Sequence, residues 1–131
     1  MAAAPQYAAT PGRAQAQVTA ANTAIDGTGT LVTVVSGTAA GRRIRRVAVT
    51  GAVATGLANR ISFFISTDSG TTNRFLCDVT LAAATISATV RGQYAEVPEL
   101  AGLILTGTTH LLRAAPHIAQ ATNIDVEHGD L

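Results

Sequence analysis

The apolar runs of this chain are short, rich in Val, Ile and Thr, and broken by a glycine-containing turn about every ten residues, a spacing that suits a β-sandwich or barrel and leaves little room for helices. Strands are expected near 16–21, 28–36, 43–50, 60–67, 74–81, 86–97, 103–106, 110–115 and 123–127. A chain of 131 residues is long enough to bury one adequate core and needs no second domain. Residues 1–17 are set apart as an extended arm, because Pro5 and Pro11 interrupt an Ala-rich stretch without apolar period. The sandwich domain is then 18–131. Deprived of a basic leader and of an uninterrupted apolar core, the opening is expected to be neither a signal peptide nor a membrane span.

The sharpest local signal is RISFFIST and NRFLCDVTL joined by DSGTT. Alternation puts Ile61, Phe63 and Ile65 on one face with Phe75, Cys77 and Val79. A hairpin symmetric about Gly70 pairs Ile61 with Val79, Phe63 with Cys77 and Ile65 with Phe75. The same register sets Phe64 opposite Leu76 on the outer face, between the polar pairs Ser62 with Asp78 and Ser66 with Arg74. Two large apolar groups on a polar face call for a cover, supplied either by a second sheet or by a partner.

In GRRIRRVAV, residues 41–49, four of the nine basic groups fall within five positions: Arg42, Arg43, Arg45 and Arg46. Ile44 is out of phase with Val47 and Val49, so one straight register cannot bury all three. A β-bulge near Arg45 and Arg46 restores the phase and turns both guanidiniums outward. Arg42 and Arg43 then join them in one exposed cluster. All nine cations are arginine, the planar fork suited to carboxylate or phosphate.

Catalytic and cofactor chemistry find no candidate. The lone Cys77 lies in an apolar strand pattern and reads as a small buried hydrophobe. His110, His117 and His128 have neither metal-site spacing nor thiolate companions. Glu96 and Glu99, even beside Asp78 or Asp125, lack the aromatic-lined cleft of a glycosidase. In DGTGTL, residues 26–31, no Lys follows the glycines and the next run is Val-rich, so a turn entering a strand is expected rather than a phosphate loop. A formal charge of only +1 and the want of stacking aromatics argue against specific nucleic-acid binding. A carbohydrate-binding β-sandwich using Asp and Asn side chains remains a second reading, weakened by scarce aromatics.

Four stretches, NTAIDGTGTLVTVVSGTAAGRRIRRV, FFISTDSGTTNRFL, ELAGLILTG and NIDVEHGDL, resemble the cement, or decoration, proteins of tailed-bacteriophage heads. The likeness runs from Ala21 to Leu131 and consists of turn and strand patterns. It implies a jelly-roll β-sandwich of about eight antiparallel strands, a homodimer on the outer surface of an icosahedral virion, made in the host cytoplasm, that clamps neighbouring major capsid subunits. Neither catalysis, a cofactor, a metal nor a membrane enters that role. Within it, Arg42, Arg43, Arg45, Arg46, Arg13 and the arm's Tyr7 are the expected capsid contacts, with Phe64 and Leu76 as an apolar contact between sheets or across the dimer.

Overall fold

The computed structural model describes residues 10–131. Eleven strands follow in order: β1 Thr10–Val18, β2 Val32–Ser36, β3 Arg42–Gly51, β4 Thr55–Gly56, β5 Asn59–Ser66, β6 Arg74–Leu81, β7 Ala84–Thr85, β8 Tyr94–Glu96, β9 Ile104–Leu105, β10 Leu111–Pro116 and β11 Thr122–Asp130. A single 3-10 turn spans Pro98–Leu100. One sheet runs β1-β11-β3-β8, with β9 also on β3; the other runs β2-β10-β5-β6; β4 and β7 form a separate ribbon. All pairings are antiparallel. The fold is an all-β sandwich, and its sheets approach each other where β1 nears β2 and β6 nears β8.

Alternation accounts for the core. Ile61 and Phe63 of β5, Leu112 and Ala114 of β10, Ile124 and Val126 of β11, and Val47 and Val49 of β3 turn inward and are buried together. Removing such side chains from water contributes about 1.5–3 kcal/mol each for the larger ones. Ile65, Cys77 and Val79 pack against the rim of this cluster. The bulge anticipated in β3 is present. Glu127 faces Arg46 while His128 faces Ile44, so Arg45 is the extra residue, and Ile44, Val47 and Val49 are all buried.

The hairpin of β5 and β6 departs from its expected symmetry halfway along. Ile61 with Val79, Ser62 with Asp78 and Phe63 with Cys77 pair as the alternation demands, but a bulge follows Phe63. Beyond it Phe64 faces Phe75 and Ile65 faces Arg74, replacing the expected partners Leu76 and Phe75. The turn is closed by Ser66 and Asp68: Gly70 N–H donates to Ser66 Oγ at 2.8 Å, and Thr72 N–H donates to Asp68 Oδ1 at 2.8 Å. Ser69 and Gly70 both take positive φ, 61° and 93°, which tightens the turn beyond a symmetric loop.

Three expectations need correction. Residues 10–17 are not a free arm: they form most of β1, paired along its length with β11. Propensity in TPGRAQAQV is poor, yet β11 offers cross-strand partners to Arg13 and Gln17, and tertiary pairing wins. The sandwich therefore begins by Thr10, and the rest of the expected arm, Tyr7 included, lies outside the described residues. The run 86–97 is not one strand, because Ser87 Oγ accepts from Thr89 N–H and Val90 N–H and folds a turn there. The strand expected over 28–36 starts only at Val32, after Gly27 and Gly29 have taken φ of 89° and 84°; the DGTGTL stretch is a glycine turn leading toward a strand.

Candidate functional site

The bulge at Arg45 sorts the four arginines of β3 into two kinds. Arg42 lies on the inward row with Ile44, at the end of the sandwich. Its Nε and Nη2 donate to Asp130 Oδ1 and Oδ2 at 2.6 and 3.1 Å, and its Nη1 donates to the Ser36 carbonyl of β2 at 3.1 Å. One side chain thus ties β3 and β11 to the opposite sheet. The hydrogen bonds from Arg42 hold the Asp130 carboxyl below its ordinary range. His128, buried beside them with Nδ1 at 3.5 Å from Asp130 Oδ1, has its pKa pushed down by burial and by Arg42. A Cβ at residue 12 would strike its ring, so only glycine fits there.

On the outer face of the same sheet the charges alternate across strands. Arg13 reaches Asp125 at 3.3 Å and Glu127 at 3.1 Å; Glu127 also lies 3.8 Å from Arg46. Arg46 donates to Glu96 at 2.7 Å and to the Tyr94 hydroxyl, and Arg91 sits over the Tyr94 ring, 4.8 Å from its centroid. Hydrogen bonds from Arg46 and Tyr94 hold Glu96 below its ordinary pKa, the opposite of what a general acid requires. Arg43 and Arg45 are exposed and make no ion pair or side-chain hydrogen bond among the described residues. The expected four-arginine cluster is therefore two internally committed groups and two uncommitted ones, while Arg13 sits in β1 rather than on an arm.

The apolar pair expected on the other sheet also resolves differently. Phe64 is fully buried in a small second cluster with Leu31 and Ala115, and its ring meets Phe75 edge to face at 5.8 Å. Its cover comes from the segment between β1 and β2. Asn22 N–H donates to the Pro116 carbonyl, Asn22 Nδ2 donates to the carbonyls of Thr28 and Thr30, and Arg113 Nη2 donates to the Leu31 carbonyl. A side chain at Gly27 would collide with the Asn73 backbone. Leu76 is the bulged residue and remains 39 % exposed.

Other chemistry-bearing groups are scattered. Cys77 is half-buried and its thiol is pushed up to about 11, first by burial and then by Glu99 and Asp78, so it is protonated and a poor nucleophile at neutral pH. His117 Nδ1 lies 3.3 Å from Arg60, and His110 approaches Thr106. Among the described residues no three His, Cys, Asp or Glu side chains converge as metal ligands, and no helix is long and apolar enough to cross a membrane.

Sequence reasoning missed two buried amides. Gln93 Nε2 donates to the carbonyls of Leu57 and Ala82 at 2.7 and 3.0 Å, and Gln120 Nε2 donates to Gln93 Oε1 at 2.9 Å. The Gln93 amide lies so close to Gly51 and Gly56 that a Cβ at either position would collide with it. No protein-family model, no curated protein and no solved structure matches this chain.

Proposed function

We propose that this chain is a structural virion protein that decorates the outer surface of a tailed-bacteriophage head and clamps neighbouring major capsid subunits. The observation that carries the reading is the pair Arg43 and Arg45: two uncommitted guanidiniums on a sheet face whose other arginines already have carboxylate or aromatic partners. Such a face is an electrostatic complement for acidic side chains on another protein. An exposed pair of this kind contributes only about 0.2–1 kcal/mol, whereas a desolvated interfacial pair couples by about 1.5–7 kcal/mol. Repetition over a shell lets modest contacts hold collectively.

The strand order supports the jelly-roll form of the fold. With the ribbon and β9 set aside, eight principal strands remain, and numbered along the chain they lie in the orders 1-8-3-6 and 2-7-4-5. Two interleaved Greek keys generate that arrangement. Jelly rolls serve several functions, so the role rests on the surface and not on the fold. Paired copies on the shell fit the same reading.

Charge reversal at both Arg43 and Arg45 to Glu tests it. Co-sedimentation with undecorated heads is expected to be lost while the far-UV spectrum and melting of the free chain stay unchanged; unchanged head occupancy would remove the role. A second reading, a carbohydrate-binding module, is favoured by one hollow of about 310 Å³ flanked by Gln15, Gln17, Asn123 and Asp125, amide and carboxylate groups able to bond sugar hydroxyls. Binding on a glycan array, weakened by Asn123→Ala, would move the assignment there.

A further inference from the structure

Leu57 is an exposed aliphatic residue whose backbone is held on both sides by side-chain amides. Its N–H donates to Gln120 Oε1 at 2.8 Å, and its carbonyl accepts from Gln93 Nε2 at 2.7 Å. Both amides are buried, and each also bonds the other. The side chain carried by this pinned backbone is nonetheless 62 % exposed. A lone exposed leucine needs no explanation. One whose backbone is pinned by buried amides beside a hollow does.

That hollow, of about 450 Å³, is lined by Ala58, Leu81 and Ala82 together with Arg60, Thr80 and His117. It adjoins Leu57 directly through Ala58, and Gln93 binds the carbonyls of both Leu57 and Ala82. The one cation in its wall is already engaged, with Asp78 at 3.7 Å and His117 at 3.3 Å. Around it, residues 50–59 and 82–90 contain no charged side chain at all.

We infer that Leu57 of one copy fills the hollow of a second copy, and the reverse, across a twofold axis. A projection and a recess adjacent on one surface are self-complementary under such an axis, since each then meets the other twice. Charge selects the same occupant. The one cation in the hollow's wall, Arg60, meets its copy already paired with Asp78, whereas a twofold contact through the opposite end of β3 would set the unpaired Arg43 and Arg45 against their own copies. The inference names the surface for the pairing expected of a shell protein and rests on that reading only for its purpose. It leaves Arg43 and Arg45 of each copy free, which makes the pair a bivalent clamp.

The test uses the free full chain, without heads, so that its failure is separate from failure of head binding. Sedimentation velocity over a concentration series is expected to show a monomer–dimer equilibrium that Leu57→Asp weakens by about tenfold or more, as loss of a buried anchor does. Ala82→Trp, which blocks the recess, is expected to act alike, and a mixture of the two variants should recover part of the association because one projection still finds one recess. Leu76→Asp, at an exposed apolar site elsewhere, should leave the dimer intact. A chain that stays monomeric at the highest attainable concentration, a Leu57→Asp chain that dimerises normally, or a dimer broken by Leu76→Asp instead, overturns the inference. Should Leu57→Asp fail to fold, Leu57→Ser takes its place, with far-UV spectra and melts as the control.

Discussion

The two ends of β3 solve the same problem with opposite chemistry. At its start, Arg42 joins Asp130 and the Ser36 carbonyl and so ties the sheets together with charge. At its finish, beyond Gly51, Gln93 and Gln120 tie the loops together with neutral amides. The ionic end is partly open, with the Arg42 and Asp130 side chains 20 % and 31 % exposed, so water and salt reach it and the groups beside it titrate. At the amide end the ties are buried and neutral, indifferent to pH and salt but costly to break. Consequently one end can respond to its surroundings while the other holds a surface at fixed geometry.

The largest effect should follow from breaking the amide end. Gln93→Leu removes the donor to the Leu57 and Ala82 carbonyls and the acceptor of Gln120 Nε2, and losses of this kind cost about 2–4 kcal/mol when several groups are left under-paired together. Denaturant unfolding should show that loss at unchanged slope, and hydrogen exchange should show Leu57 losing protection while Ile44 keeps its own. A loss below about 0.5 kcal/mol, the range of an ordinary surface substitution, would mean that the amide staple does not hold the loops.

Acid should act at the other end first. Asp130 is depressed in the fold, so its contribution is complete above the ordinary unfolded value of about 3.9 and disappears as pH falls through its folded value. His128 is depressed as well. It stays neutral in the fold while the unfolded chain protonates near about 6.5, so its contribution is complete above that and declines as pH drops toward the folded value. Asp68, lowered by hydrogen bonds from Thr72 and Ser66, adds to the lower step. Thermal melts should therefore fall in two stages on acidification, and His128→Phe should remove the upper one. Amide exchange at Ile44 should accelerate before that at Leu57; the reverse order would contradict the division between ends.

How much of this was legible in the sequence depends on where the determining contact lies. The bulge at Arg45 could be read because burial of Ile44, Val47 and Val49 is a property of one strand. Half of the hairpin register could be read for the same reason. β1 could not, since its residues have little strand preference and are held by Arg13 and Gln17 reaching β11, more than a hundred positions away in sequence. Nor could the cover over Phe64, because Leu31 arrives only once Asn22 and Arg113 have folded the intervening loop onto the sheet. The arginine cluster was visible as composition, but its division needed Asp130 and Glu96, whose approach is tertiary. Gln93 and Gln120 were silent, since a glutamine in a polar stretch reads as surface.

The smallest effect belongs to the outer charge ladder, and it separates ionic contacts that hold the fold from those that merely accompany it. Arg46 meets Glu96 at 2.7 Å, close to the 2.6 Å between Arg42 and Asp130, so distance alone would rank the two pairs together. Exposure separates them: Arg46 and Glu96 are 40 % and 53 % exposed, and water around both ions supplies most of what the pair supplies. Arg46→Gln should therefore lower stability only slightly, as an ordinary surface substitution does, and a double-mutant cycle with Glu96→Gln should find a correspondingly small coupling. Because the pair is open to counter-ions, the coupling should shrink toward zero at about 1 M salt, where screening acts within about 3 Å. Arg42→Gln should retain more of its effect in the same salt, since the Arg42 and Asp130 side chains are less open to counter-ions. Equal salt sensitivity at both sites would mean that the clasp at the start of β3 is one more surface pair, and the contrast between the two ends would then rest on the amides alone.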